Sequence, residues 1–344
     1  MNQSTGLRWP AEWEEHSATW LAWPHNQNDF PKVLSKVREA CASFIRQLSE
    51  EEAVKLICEN EAETKQELEK LSLSLENVEI FQFPTDRSWL RDSAPTAVKT
   101  DQGLLWTQWN FNAWAKYKNF QKDQKLPSFI AEQSKKELIQ AKRLDGATPF
   151  TLEGGAIETD GAGSLLTTEE CLLSEIQQRN KSCSKEEYEK LFSIYLGVEN
   201  TIWLEAGVPG DDTHGHIDDL ARFVSDQAAL LVFAEDDPAF RDISRRNLSR
   251  LAKSKNAKGE KLSVELLPMP SPIYFEGEMM PASYANFYLA NNSVFVPVFK
   301  DRADDKALRI IDDAYSGRNT IPINCRDWIV GCGSLHCSTQ PQFS

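Results

Sequence analysis

Apolar residues along the chain form short runs that alternate with stretches of helical spacing. Runs of strand length occupy residues 18–23, 53–58, 78–83, 228–234 and 293–299. Helical periodicity predicts helices over residues 36–50, 61–71, 127–141 and 304–315, and a further helix between the capping box at Ser184 and Gly197. This alternation predicts an α/β fold or a repeated α+β unit, and periodicity alone does not choose between an open sheet and a closed radial array.

Composition favours one folded unit. The 344 residues contain no linker or low-complexity tract, and the 16 glycines and 16 prolines are spread along the chain, so we expect a single domain over residues 1–344. The 38 basic residues against 52 acidic residues give a net charge of −14. Because a phosphate backbone requires a basic face, we expect no nucleic-acid partner.

The chain also lacks signals for membranes and disulfides. No run of 18 apolar residues is present, and the first residues show no basic-then-apolar signal pattern, which predicts a cytoplasmic protein with no membrane partner. Seven cysteines, an odd number without a C-x-x-C pair, favour reduced thiols over a disulfide framework or a Cys-rich zinc module. One of these thiols can then serve as a nucleophile.

Four polar clusters follow predicted strands, and two of them come in the first half of the chain. Residues 88–92 end in Asp92, which suits a cationic ligand or the closing of a turn before Pro95. Residues 152–155 combine Glu153 with two glycines, which permit a close backbone approach or form a plain turn. Neither cluster alone decides between a functional site and a surface turn.

The other two clusters carry histidines and a thiol. In a strand, His214, His216 and Asp218 would share one face, where they suit a metal site completed by His336 and Cys337, or a general base beside a carboxylate. A polar turn is the alternative, which the density of His and Asp residues disfavours. Residues 331–340 present Cys337 among glycines and small polar residues, which fits a nucleophile or a buried structural thiol.

Taken together, the clusters supply more carboxylates than acyl transfer requires. A Cys–His acyl-transfer site needs one orienting group, whereas Asp92, Glu153 and Asp218 offer three carboxylates beside Cys337 and His216. This surplus indicates a cationic substrate. A guanidinium fits best, because its planar donors match carboxylates in pairs.

The same segments resemble a known family. They resemble the agmatine deiminase and bacterial peptidylarginine-deiminase-like branch of the guanidino-group-modifying enzymes, and the similarity covers nearly the whole chain. The similar segments are residues 10–14, 19–24, 88–95, 111–114, 152–155, 166–173, 215–218, 282–288 and 333–340. The chain departs from the family pattern at Ala115, at residues 331–334 and at Pro341. The departures at Ala115 and Pro341 touch the expected pocket wall and bear on the choice of substrate.

The resemblance implies a five-bladed α/β propeller, a pentein, with pseudo-fivefold symmetry and an active site at its centre. It also implies roles for individual residues. Cys337 resembles the nucleophile, His216 the acid/base, and Asp92 and Asp218 the carboxylates that clamp the guanidinium. Glu153 resembles the carboxylate beside the histidine. The resemblance further assigns pocket walls to the aromatic residues Trp89 and Trp114.

The expected reaction needs no metal and no organic cofactor. Agmatine is the expected substrate, a small cation hydrolysed to N-carbamoylputrescine and ammonia in polyamine metabolism. Peptidyl or free arginine is the alternative substrate. A metal-dependent hydrolase using His214, His216 and Asp218, and a guanidine-binding protein without catalysis, are the alternatives from other classes. The sequence leaves a homo-oligomer open.

Overall fold

The structure is a computed structural model that describes residues 6–235, 237–238 and 240–344. The first five residues lie outside these ranges, and they belong to the segment in which the sequence shows no signal-peptide pattern. No helix in the described ranges is long and apolar enough to cross a membrane. The helices are α1 (Leu34–Leu48), α2 (Glu61–Lys70), α3 (Leu90–Ser93), α4 (Leu126–Ser134), α5 (Glu169–Leu173), α6 (Lys185–Leu196), α7 (Arg241–Lys253), α8 (Asp304–Ala314) and α9 (Leu335–Ser338).

The chain has a mixed α/β fold, as the alternating pattern predicted. The strands are β1 (His16–Ala22), β2 (Ala53–Cys58), β3 (Val78–Gln82), β4 (Thr96–Thr100), β5 (Gly103–Gln108), β6 (Leu138–Gln140), β7 (Glu158–Thr159), β8 (Ser164–Thr168), β9 (Asn200–Leu204), β10 (Ala221–Ser225), β11 (Ala228–Val232), β12 (Ser263–Leu267), β13 (Ile273–Phe275), β14 (Glu278–Met280), β15 (Tyr288–Leu289), β16 (Ser293–Val298), β17 (Asn319–Asn324) and β18 (Thr339–Phe343).

Five of the sheets among the described residues repeat one arrangement. In each, a first strand pairs antiparallel with a second, and the second pairs parallel with a third after a helical crossover. The repeated sheets are β4-β5-β6, β7-β8-β9, β10-β11-β12, β15-β16-β17 and β18-β1-β2, the last extended by β3. Because β18 pairs with β1, strands from both ends of the chain complete one sheet.

Local sequence signals explain where several helices lie. The side chain of Ser184 accepts a hydrogen bond from the Glu187 backbone, and Gly197 ends α6 in the left-handed conformation, so the predicted capping signals are confirmed. In α1, the apolar stripe that includes Val37, Cys41 and Phe44 is buried as its spacing predicted.

The helix predicted over residues 127–141 is correct only in its first half. Helix α4 ends at Ser134, Lys135 adopts a left-handed backbone with φ of 54°, and residues 138–140 form β6. Strand β6 pairs parallel with β5, with Leu138 opposite Trp106. The backbone partners in β5 decide this, because a short apolar stretch satisfies helical and strand spacing alike.

Two glycines with positive φ test how tightly the start of the chain is tied to α6. A Cβ at Gly197 (φ +70°) would lie 2.0 Å from the Leu7 carbonyl oxygen, whereas at Gly259 (φ +81°) it meets nothing within 4 Å. We expect Gly259→Ala to lower the free energy of unfolding by about 1 kcal/mol, from backbone strain alone. Gly197→Ala should cost at least about 3 kcal/mol, because the clash adds to the strain.

Urea unfolding of the two variants provides the measurement. Equal losses of stability would show that the contact between Gly197 and Leu7 does not constrain the fold.

Candidate active site

The candidate site is built from equivalent positions of the five repeated sheets. Each sheet contributes a residue from the segment that precedes its first strand. These residues are Asp92 before β4, Glu153 before β7, Asp218 before β10, Asn286 before β15 and Cys337 before β18. The repeated topology therefore explains how residues far apart in the sequence come together.

The glycine pair at residues 154–155 lets the backbone enter the centre of this group. A Cβ at Gly155 would lie 2.6 Å from Nδ1 of His216, 2.9 Å from Oδ1 of Asp92 and 3.1 Å from Oδ2 of Asp218. The Gly155 backbone N–H donates to Asp92 Oδ1 at 2.9 Å. A Cβ at Gly154 would lie 2.3 Å from the backbone oxygen of Arg91. Both positions thus exclude a side chain, as close backbone approach requires.

His216 is buried among carboxylates without a close partner. Its Nδ1 lies 3.8 Å from Asp92 Oδ1 and 4.0 Å from Asp218 Oδ1, and its Nε2 lies 3.7 Å from Glu153 Oε2. Neither ring nitrogen has a hydrogen-bond partner among the described residues. Burial disfavours the imidazolium, but Asp92, Glu153 and the Cys171 thiol together raise the pKa of His216 well above its ordinary value.

Asp92 is held by two donors inside the site. Trp114 Nε1 donates to its Oδ2 at 2.8 Å, and Gly155 donates to the other oxygen. Burial, with the negative charges of Asp218 and Glu153, raises the pKa of Asp92 to about 6 against the opposing effect of His216. This carboxyl group therefore titrates just below neutral pH.

Glu153 has a cation of its own. Arg179 Nε lies 3.0 Å from Oε1 and 3.2 Å from Oε2 of Glu153, and both side chains are fully buried. Burial opposes ionisation, but the charges of Arg179 and His216 lower the pKa of Glu153 below its ordinary value. Glu153 is thus a carboxylate at neutral pH.

The Cys337 thiol lies between an amide and a carboxylate. Asn286 Nδ2 donates to Sγ at 3.0 Å, and Sγ lies 3.6 Å from Asp218 Oδ2. Burial and the negative charges of Asp218, Asp219 and Asp92 raise the pKa of the Cys337 thiol well above its ordinary value. The thiol is therefore protonated at neutral pH in the absence of a cation.

A cavity of about 410 Å³ leads to the thiol. Trp89, Asp92, Trp114 and Cys337 line it, whereas His216 and the carboxylates of Glu153 and Asp218 are buried behind its wall. The lining also includes two carboxylates that are each paired with a cation. These are Asp29 beside Arg87, and Asp212 beside Lys116.

Two departures from the family pattern have left-handed backbone. Ala115 (φ 55°) ends a left-handed turn that also contains Ala113 and Trp114, and Cys332 (φ 65°) lines the cavity after a 3-10 turn. Glycine adopts this conformation without steric cost. The chain therefore accepts backbone strain at both positions, of which Cys332 lines the cavity and Ala115 follows the lining residue Trp114.

The structure does not bring together the ligands of the alternative metal site. Residues 214–218 form a turn and not a strand, so the side chains of His214 and His216 do not share a face. His214 lies 3.2 Å from Ser174 Oγ and 3.9 Å from Glu170, and His336 contacts Asp218. In the described ranges, the groups of three close ligand atoms are Glu153, Cys171 and His216, and Asp218, Asp219 and Cys337. Neither group contains His214 or His336.

Sequence reasoning did not single out several residues that contact the site. Asn286 lies within a segment used for the family resemblance, and its amide could have been examined as a thiol partner. Arg179 has no sequence signal, because its pairing with Glu153 depends on the fold. Glu12 belongs to another segment of the resemblance and carried no assigned role; it contacts His336.

Comparison with known proteins identifies the family to which the chain belongs. The chain belongs to the Porphyromonas-type peptidyl-arginine deiminase family, whose model matches residues 8–342. A relative from Mycoplasma capricolum, provisionally named an agmatine deiminase, is 34% identical over 98% of this chain and 96% of its own length.

Solved structures show the same fold. The agmatine deiminase of Enterococcus faecalis is 27% identical with a TM-score of 0.89, over 98% of this chain and 96% of that one. An agmatine deiminase of C. jejuni with substrate bound is 28% identical with a TM-score of 0.88, over 100% of this chain and 98% of that one.

The raised pKa of Cys337 predicts how this thiol reacts with an alkylating agent. Because the thiolate is the reactive form, alkylation by iodoacetamide should be slow at about pH 7 and still accelerating at about pH 9. Millimolar guanidinium chloride should accelerate the reaction by offsetting the carboxylate charges, whereas the same concentration of sodium chloride should not.

Mass spectrometry of the Cys337 peptide measures the rate. A rate at about pH 7 equal to that of the urea-unfolded chain, and insensitive to guanidinium, would contradict the electrostatic picture of the site.

Proposed function

We propose that this protein is an agmatine deiminase that hydrolyses agmatine to N-carbamoylputrescine and ammonia. The observation that carries the proposal is the 3.6 Å approach of the Cys337 thiol to Asp218, at the end of a cavity that also exposes Asp92. A nucleophile flanked by two carboxylates suits a planar cation with an electrophilic carbon. The choice of agmatine among guanidines follows the names of the relatives.

Asp92 and Asp218 act as the clamp in this proposal. Each carboxylate accepts hydrogen bonds from guanidinium N–H groups, which places the central carbon against Sγ of Cys337. The same negative charges raise the pKa of the thiol before substrate binds. The arriving cation offsets them, so substrate binding favours the thiolate when the nucleophile is needed.

The first half of the reaction forms a covalent intermediate. As the guanidinium binds, the Cys337 thiol releases its proton to solvent through the cavity, and the resulting thiolate attacks the guanidinium carbon to form a C–S bond. His216, whose raised pKa keeps it protonated, donates a proton to the departing nitrogen. The C–N bond breaks, ammonia leaves, and an S-alkylthiouronium remains on Cys337. Glu153 stabilises the imidazolium before this transfer, and Arg179 holds Glu153 in place.

The second half releases the product. Neutral His216 takes a proton from a water molecule that attacks the thiouronium carbon. The C–S bond then breaks, and the sulfur of Cys337 leaves with the bonding electrons. The carbon keeps the oxygen, whose remaining proton passes to the departing sulfur and restores the thiol, so that a neutral ureido product is released. The proton that His216 lost to ammonia is thereby replaced by one from water, so the cycle needs no cofactor.

We further propose that the five repeated sheets form the blades of a propeller around this site, and that the whole chain acts as one catalytic domain. Two observations support this arrangement. The sheets share one strand topology, and each contributes a site residue from the segment before its first strand. A ring would place these five segments at a common axis. The buried side chains of Trp89 and Trp114 would then form walls of the pocket beside Cys337 and Asp92.

Ammonia release with detection of the ureido product tests the function. Wild-type protein should release both from agmatine, and Cys337→Ala should lower turnover by at least about 10³-fold, because it removes the nucleophile while deleting only one atom. Cys183→Ser is the matched control, since Cys183 is a half-buried thiol outside the cavity.

Free arginine and a peptide ending in arginine are supplied in parallel. Product from one of these alone would keep the chemistry and change the substrate. Full activity of Cys337→Ala would refute the covalent mechanism.

The pKa of Asp92 predicts the acid side of the pH profile. As pH falls through about 6, Asp92 gains a proton and the clamp loses one negative charge, so kcat/KM should decline there. Asp92→Asn should lower kcat/KM at neutral pH by about 100-fold or more, because the neutral amide cannot pair with the guanidinium. A variant with wild-type kinetics and an unchanged profile would remove Asp92 from the clamp.

A further inference from the structure

A row of three buried ionisable side chains leads away from the Cys337 thiol. Asp218 Oδ2, the oxygen nearest Sγ, lies 2.7 Å from Nδ1 of His336. The other nitrogen of the same ring, Nε2, lies 3.0 Å from Oε2 of Glu12. All three side chains are buried, so water does not replace these contacts. His336 thus bridges two carboxylates, one inside the site and one behind it.

Glu12 is anchored from several directions. Arg91 NH2 donates to its Oε2 at 2.7 Å, and Arg222 NH2 donates to Oε1 at 2.9 Å. The backbone N–H of Leu289 donates to the same Oε1 at 3.0 Å. Because these partners come from three distant parts of the chain, Glu12 has a fixed position against which His336 is oriented.

Carboxylates outnumber arginines in the buried group behind the site. This group contains two arginines, Arg91 and Arg222. It contains three carboxylates, which are Glu12, Asp218 and Glu158, the last paired with Arg222 at 3.2 Å. Buried charges are stable only when they are paired. The His336 ring, which lies between Asp218 and Glu12, is the group placed to offset the third carboxylate.

We propose that His336 and Glu12 are positioning residues that hold Asp218 as an oriented carboxylate beneath the guanidinium. This inference rests on the proposed function and deepens it, because it makes the clamp asymmetric. Asp218 has the His336 imidazole 2.7 Å behind it, whereas Asp92 has only neutral donors and His216.

The pKa directions agree with this asymmetry. Burial opposes the ionisation of Asp218, but the hydrogen bond and charge of His336 lower its pKa below the ordinary value. The pKa of Asp92 is raised to about 6. The titratable and charged groups facing Asp218 are His336, His216, Asp219, Asp92, Arg222 and the Cys337 thiol.

The test compares His336→Asn and Glu12→Gln with wild-type protein in agmatine turnover across pH. The asparagine amide can still donate to Asp218 but carries no charge. We expect KM for agmatine to rise about ten-fold or more while kcat changes less. The variants weaken the binding of the guanidinium by Asp218 but leave Cys337 and His216 unchanged. The acid limb of kcat/KM should move up by about one pH unit, as Asp218 gains a proton more readily.

His16→Asn is the matched control. His16 is another buried imidazole beside a carboxylate, with Nδ1 3.4 Å from Glu52, and its change should lower stability without moving KM or the acid limb. Glu12→Gln keeps the size of its side chain and should shift both quantities in the same direction as His336→Asn. It also provides the test if His336→Asn does not fold.

Folded variants with a wild-type KM and an unchanged acid limb of kcat/KM would overturn the positioning role. A loss of turnover that is proportional to the loss of folded protein would overturn it as well. A wild-type protein without guanidine hydrolysis would instead overturn the proposed function, and the clamp with it.

Discussion

The candidate site depends on ion pairs among buried side chains, whose positive and negative charges offset one another. Glu153 is balanced by Arg179, and Asp218 has His336 behind it. His216 is the cation closest to Asp92. Without substrate the thiol keeps its proton, because burial and the carboxylate charges raise the pKa of Cys337. A bound guanidinium adds one positive charge, which loss of the thiol proton compensates. Substrate charge and nucleophile ionisation are therefore coupled through one set of carboxylates.

The fold provides this balance by repeating one strand arrangement. The segment before the first strand of each sheet ends at the site, so the chain brings together positions as distant as Asp92 and Cys337. Alternating apolar runs sufficed to predict a mixed α/β fold and the capped helix that ends at Gly197. They did not predict β6, because residues 138–140 are ordered by pairing with β5, which no local pattern encodes.

Within the site, the sequence was most informative where chemistry needs an unusual local residue. The glycines at 154 and 155 signalled a close backbone approach, and the structure places backbone there against the carboxylates. The alternating residues 214, 216 and 218 misled, because a turn at His214 breaks the strand that the metal interpretation required. The roles of Arg179 and Glu12 were not predicted, because both depend on ion pairs with residues that are distant in the sequence.

A crystal structure of Cys337→Ala with agmatine would test the central claim most directly, because the variant leaves the carboxylates in place. The account predicts a guanidinium held by Asp92 and Asp218 with its carbon facing residue 337, and the alkyl chain directed along the cavity towards Asp212. A substrate bound in the opposite direction, with its guanidinium beside Asp212 and its ammonium group at Asp92 and Asp218, would contradict the account.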